Sequence, residues 1–218
     1  MRAPFFGNLD RRTITKVAAI LAAGGVAVLP TDTIYGFHCA ASRDEAIERI
    51  RRLKGRREEA GFIHLAADCA MAKRLVARWP GDSKRLLDAI WPARLTAILP
   101  ARGGDGRVAA GRGRGSVAVR VPARRELRAL IEALGEPIVS TSVNRSGYAP
   151  LTRIREIAEA FPGLEAYVSQ RGRPFSRPST VVDFRLYPPR IVRAGAFRWG
   201  LQRRGFHDRD VARPPRAE

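Results

Sequence analysis

Alternating strand and helix patterns along most of the 218 residues predict an α/β fold on a single sheet. Three observations carry that prediction. A short apolar run, Val26–Leu29, follows an amphipathic segment and has the character of a strand covered on both faces. Strict alternation in "SVAVRV" gives a strand with Val117, Val119 and Val121 on one side and Ser116, Ala118 and Arg120 on the other. Apolar residues recur at helical spacing between such runs.

Taken in order, residues 11–23 place Ile14, Val17, Ile20 and Leu21 at helical spacing, with Gly24 as the left-handed stop. The strand Val26–Leu29 opens into "PTDTIYG" (30–36) and a loop. Ser42 and Glu45 form a capping-box signature for a helix with Ala46, Ile47, Ile50 and Leu53 on its apolar stripe, ending at Lys54-Gly55. Helical patterns over 67–79 and 82–91 stop at Pro80 and Pro92, and Leu95–Leu99 is a strand. The stretch 101–116, with six glycines and four arginines, is a loop. Helix over 124–134, strand over Ile138–Ser140, helix over 152–161, and strands in "STVVDF" and "RIVRAG" complete the pattern. The division expected is a catalytic domain over 1–198 and a basic, loosely packed tail over 199–218, where apolar periodicity is lost.

Forty basic residues against twenty-one acidic give a net charge of +19, a field that attracts polyanions such as nucleotides or RNA. Only Lys16, Lys54, Lys73 and Lys84 among those cations are lysines, so the arginines also read as a general surface bias. Cys39 and Cys69 form no CxxC pair, which fits a reducing cytoplasm. The apolar run 17–30 is broken by Gly24-Gly25 and too short to span a bilayer, so no membrane association is expected. A GxxxxGK[ST] phosphate loop and a GxSxG nucleophile elbow are absent from the sequence. His38, His64 and His207 lack the spacing of metal ligands, so no metal is assigned to the protein itself.

Five stretches put hydroxyl, amide or guanidinium groups at strand ends or loops: 30–36, 53–57, 116–122, 140–147 and 177–183, with 190–195 following. In open α/β sheets ligands settle beyond the carboxyl ends of strands, where such groups gather. Taken alone, each has a structural alternative. Lys54 and Arg56 suit a helix C-terminus, Arg120 a buried ion pair, Ser142 and Asn144 a capped loop, and Ser116, Thr152, Ser179, Thr180 and Arg193 ordinary helix and strand starts.

Read together, "PTDTIYG", "KGR", "WPARLT", "VAVRVP", "STSVNRSG" and "PSTVVD", in this order over about residues 12–197, resemble the YrdC/TsaC family of threonylcarbamoyladenylate synthases, in its short form. The resemblance implies a twisted mixed sheet flanked by helices, with a concave basic cleft. It also implies formation of threonylcarbamoyl-AMP and pyrophosphate from ATP, L-threonine and bicarbonate, for modification of transfer RNA by a downstream transferase complex. Magnesium accompanies ATP in that expectation. The residues implied are Lys54 and Arg56 in catalysis; Thr33, Tyr35, Arg120 and Ser142 for threonine; and Lys54, Arg56, Ser116, Asn144, Thr152, Ser179, Thr180 and Arg193 for ATP. Asp32 is expected to point away and fix its loop. The sequence departs from the pattern at Arg57 (usually proline), Ala60 (usually lysine), Ala93-Arg94 (usually Gly-Pro) and His38, where glycine is usual. An RNA-binding relative, or one acting on another carbamoyl or acyl substrate, is the alternative reading.

Overall fold

The computed structural model describes residues 4–55, 61–102, 115–170 and 177–198. These form one mixed α/β unit of ten strands and six helices. The strands are β1 (Phe5–Phe6), β2 (Ala27–Pro30), β3 (Tyr35–Ala40), β4 (Ile63–Leu65), β5 (Leu95–Pro100), β6 (Ser116–Arg120), β7 (Ile138–Ser142), β8 (Ala166–Val168), β9 (Thr180–Asp183) and β10 (Arg190–Arg193). All ten join a single sheet in the order β1-β8-β2-β3-β7-β4-β6-β5-β9-β10. The helices are α1 (Arg11–Ala22), α2 (Asp44–Lys54), α3 (Cys69–Leu75), α4 (Ser83–Ile90), α5 (Arg125–Leu134) and α6 (Ile154–Ala160). Helix α1 packs against α5.

Helix α1 starts where the Asp10 carboxylate accepts from Thr13 N–H at 2.8 Å, and it buries Val17, Ala18 and Leu21. The expected capping box on α2 does not form. Ser42 directs its hydroxyl and its N–H to Glu136, at 2.8 and 2.9 Å, leaving Arg43 at the cap position without a side-chain bond. A carboxylate that accepts both donors of one residue is the stronger local partner. At its other end α2 stops as expected, with Gly55 left-handed at φ 59°. Helix α3 ends before the expected boundary because the Val76 and Ala77 backbone pairs instead with the end of β5, through Val76↔Ala101 and Ala77 N–H to Pro100 O at 2.9 Å.

Register decides which side chains meet. Pairings Gly36↔Ser142, His38↔Ser140, Ser140↔Ile63, Ile63↔Ala118, Leu65↔Arg120 and Ala118↔Ile98 put these residues on one face of the sheet. Val117, Val119, Ala97, Leu99 and Val182 project the other way, into a core shared with Met71, Ala72, Leu75 and Leu87 of α3 and α4. A second core sets Phe37, Val139 and Val143 against Ile47 and Ile50 of α2 and Ile157 of α6, with Phe37 edge-on to Phe161 at 4.9 Å. Each large apolar side chain so buried contributes roughly 1.5–3 kcal/mol, which makes the sheet a rigid base. No helix among the described residues is long and apolar enough to cross a membrane.

Candidate functional site

A hollow of about 400 Å³ opens on the face that carries Gly36, Ser140, Ala118 and Arg120, and residues from all across the sequence reach it. Its amino-acid-sized end is built by the β2–β3 turn. Thr31 closes that turn, its hydroxyl donating to Ile34 O at 2.7 Å and accepting from the N–H groups of Thr33 and Ile34. The Thr31 and Thr33 hydroxyls lie 2.9 Å apart. Thr33 Oγ1 in turn accepts from Arg120 Nη1 at 3.1 Å.

Arg120 is 3% exposed. Burial pushes its guanidinium below the usual range, against the pull of Asp32, with Arg94 adding to the depression. Its Nη2 lies 3.2 Å from Asp32 Oδ1, and its Nε has no hydrogen-bond partner. Asp32 fixes the loop as expected, since its Oδ2 accepts from Ala123 N–H at 3.0 Å. It also supplies the ion pair that the sequence left as Arg120's structural alternative. Arg120 thus lines the hollow with a counter-charge beside it.

Lys54, the last residue of α2, is buried yet reaches the hollow. Its ammonium donates to Ser142 O at 2.9 Å, Ser142 Oγ at 3.3 Å and Asn144 Oδ1 at 2.7 Å, all uncharged acceptors. Ser142 Oγ also donates to Asn144 Oδ1, and Asn144 Nδ2 donates to Arg145 O and Tyr148 O. Both lone pairs and both hydrogens of the Asn144 amide are thereby engaged. In this structure Asn144 orients Lys54 and its own loop, and has no group left over for a nucleotide.

On the opposite rim stand Ser179 and Arg193. Arg193 donates to Ser179 O at 2.8 Å and Ser179 Oγ at 3.1 Å, and Ser179 Oγ lies 2.9 Å from Thr96 Oγ1. Three expected nucleotide contacts fall outside the lining. Thr180 closes the following turn, donating to Phe197 O at 2.6 Å and accepting from Gly195 and Phe197 N–H. Ser116 shares the face of Ala118 but sits at the far end of β6, opposite Pro100 and wholly buried. Thr152 is exposed ahead of α6. Tyr35 borders the hollow and is itself buried, and burial raises the pKa of its phenol. It walls the site. Arg56, together with Arg57 and Ala60, lies outside the described residues, as do 103–114 of the Gly/Arg loop and the 199–218 tail.

The sequence reading passed over Ser140, Thr96, Gly36, Ser146 and Tyr148, all of which line the hollow. The period of two would have found Ser140 from Ser142, and Thr96 from Ile98. No lining residue among those described is an aspartate or glutamate. The described lining therefore suits anions, and among the described residues it offers a magnesium ion no carboxylate.

Three comparisons bear on these features. The sequence profile of the Sua5, YciO and YrdC family, described as telomere recombination, matches residues 19–195. A threonylcarbamoyl-AMP synthase of Halorhodospira halophila is 35% identical over 173 residues, covering 79% of this chain and 90% of the relative. Among solved structures, P. abyssi Sua5 complexed with L-threonine superposes with a TM-score of 0.80 at 30% identity, over 88% of this chain. This chain accounts for only 58% of that Sua5 chain's length. E. coli YciO superposes with a TM-score of 0.78 at 27% identity, over 88% of this chain and 96% of its own.

Proposed function

The chain belongs to the Sua5, YciO and YrdC family, and from that premise and the chemistry of the hollow we propose that it is a threonylcarbamoyl-AMP synthase. Threonine and bicarbonate condense to a carbamate with loss of water. A carbamate oxygen then attacks the α-phosphorus of ATP, the bond to the β-phosphate breaks, and pyrophosphate leaves.

The observation that carries this reading is the convergence of Thr33, Lys54, Arg120, Ser142, Ser179 and Arg193 on one hollow whose described lining contains no carboxylate. Two anions must be brought together in this reaction, so repulsion has to be cancelled and the partners aligned. Arg120 takes the threonine carboxylate with its remaining donors, while the Thr33 hydroxyl beside it meets the amino acid's polar groups. Lys54, pinned by Ser142 and Asn144, directs its charge at the triphosphate, and Arg56 joins it from just beyond α2. Ser179 and Arg193 hold the nucleotide from the β9–β10 side. Magnesium enters bound to ATP. The product passes to a transferase that modifies transfer RNA in the cytoplasm.

Pyrophosphate release from ATP is the direct test, and it is expected to require both L-threonine and bicarbonate. Lys54→Ala lowers the rate by on the order of a hundredfold or more, as loss of a charged transition-state donor does, and Arg56→Ala abolishes it. Release that ignores threonine would point to another carbamoyl or acyl substrate. Absence of release, with salt-sensitive RNA binding retained, would make the chain an RNA-binding relative.

A further inference from the structure

Arg193 stands on the edge strand β10, and an irregular register brings it to the hollow. Ile191 pairs with Val182, and both pack into the core behind the sheet. Regular alternation would return Arg193, two residues on, to that same side. The pairing instead skips a residue, so that Arg193 lies opposite Val181, and Val181, Val192 and Arg193 all line the hollow. An extra residue in an edge strand re-aims the side chain that follows it.

The bulge gives Arg193 its side of the sheet but not its orientation. The residue is exposed, and a long exposed side chain keeps its rotamer freedom unless bonds hold it. Ser179 supplies those bonds. Its carbonyl accepts from Arg193 Nε at 3.2 Å and Nη2 at 2.8 Å, and its hydroxyl accepts from Nη2 at 3.1 Å, which fixes the plane of the guanidinium. The carbonyl belongs to the backbone, whereas the hydroxyl turns about χ1 unless a neighbour holds it. That neighbour is Thr96, with its Oγ1 2.9 Å from Ser179 Oγ. Thr96 is wholly buried on β5, an interior strand between β6 and β9. Among the described residues its hydroxyl has no other hydrogen-bond partner. A serine hydroxyl that accepts from Arg193 keeps one proton and one lone pair, so the link to Thr96 holds whichever hydroxyl donates. Strands β5 and β9 are already joined by their backbone ladder, Leu95↔Thr180 through Ile98↔Asp183, without this bond.

We infer that Thr96 is a positioning residue for Arg193, acting through the Ser179 hydroxyl, and that this buried pair of hydroxyls sets how tightly the β9–β10 side of the hollow holds ATP. This rests on the reading of Ser179 and Arg193 as nucleotide contacts.

Pyrophosphate release at varied ATP and varied L-threonine is the test. Thr96→Val keeps the shape of the side chain and removes its hydroxyl. It raises the KM for ATP about threefold to tenfold, the range for one lost neutral hydrogen bond, while kcat and the KM for threonine stay near their wild-type values. Thr96→Ser restores the KM for ATP. Arg193→Ala raises that KM by itself, and adding Thr96→Val to it changes nothing further, because the threonine acts only through the arginine. Nitrogen relaxation at Arg193 Nε in the unliganded wild type gives an order parameter above about 0.6, the bound below which a group is flexible, and the value falls in Thr96→Val. Should Thr96→Val fail to fold, Thr96→Ala gives the same pattern. An unchanged KM for ATP in the Thr96 variants, equal losses for ATP and threonine, no rescue by serine, additive effects with Arg193→Ala, or a flexible Arg193 Nε in the wild type overturns the inference and leaves the synthase reading in place. An Arg193→Ala variant with the wild-type KM for ATP removes Arg193 from the nucleotide site and overturns the inference with it. A wild type that releases no pyrophosphate overturns both the inference and the synthase reading.

Discussion

Arg120 lies on β6 with its guanidinium enclosed, one nitrogen on Thr33 and another beside Asp32, whose side chain is 5% exposed. A buried cation that loses its counter-charge is strongly destabilising, by about 3–5 kcal/mol where one partner is removed outright. Asp32→Asn keeps the shape and the bond from Ala123 N–H, so the loss expected in the free protein is on the order of 3 kcal/mol. Saturating L-threonine brings a second carboxylate to the same arginine and should recover most of it, beyond the stabilisation threonine gives the wild type. Urea unfolding with and without threonine measures this. Equal losses in both conditions would mean that Arg120 does not meet the substrate carboxylate. The alternation of "SVAVRV" exposed Arg120 as a residue needing an anion. It could not select between two anions, because Asp32 is remote in the chain and its approach depends on how the β2–β3 turn folds. The same holds for Asn144, whose amide is recognisable as polar loop furniture but whose four bonds exist only once α2 delivers Lys54 beside β7.

Strands β9 and β10 form an antiparallel hairpin at one edge of the sheet, and at its open end the segment after β10 closely approaches the backbone ahead of β9. At Gly195 any Cβ would overlap the carbonyls of Pro178 and Ser179. The clash is with backbone and cannot be relieved by a rotamer change. Gly195→Ala is therefore expected to push the segment after β10 away from Ser179, breaking the Arg193 bonds to Ser179 and the Thr180 bonds to Gly195 and Phe197. The result should be a KM for ATP raised about tenfold with a smaller change for threonine, whose proposed contacts lie across the hollow, since one or two lost hydrogen bonds are worth this much. A rise shared equally by both substrates would contradict the division of the site. Long periodic elements such as α1, α5 and β6 were legible in the sequence because burial of one face imposes a period. Strand β3 was not, since Gly36, His38 and Cys39 interrupt any run of β-branched residues and it is held by its neighbours β2 and β7. Strands β1, β4 and β8 have only two or three residues each, too few to display a period.

For the molecule as a whole, acid sensitivity follows from two histidines enclosed in one sheet. Burial, helped by the Arg120 charge, lowers His38 from its ordinary 6.5 to about 3. Burial alone lowers His64 on β4 to about 4. Below pH 6.5 the unfolded chain takes up protons at these side chains and the folded chain does not, so acid favours unfolding. Stability is then at its full value above about pH 6.5 and is lost as pH falls towards 4 for His64 and towards 3 for His38. Each histidine adds a slope of about 1.4 kcal/mol per pH unit where only the unfolded form is protonated. Aspartates and glutamates ordinarily titrate near 4, so the interval from pH 5 to 6.5 isolates the histidines. Replacing His64 by phenylalanine, which fills a similar space without a titrating nitrogen, should flatten the dependence of unfolding free energy on pH in that interval by about 1 kcal/mol per unit, since the unfolded histidine is only half protonated at pH 6.5. Urea midpoints of the two proteins across the interval decide the matter, and parallel curves would mean that His64 is not held neutral in the fold.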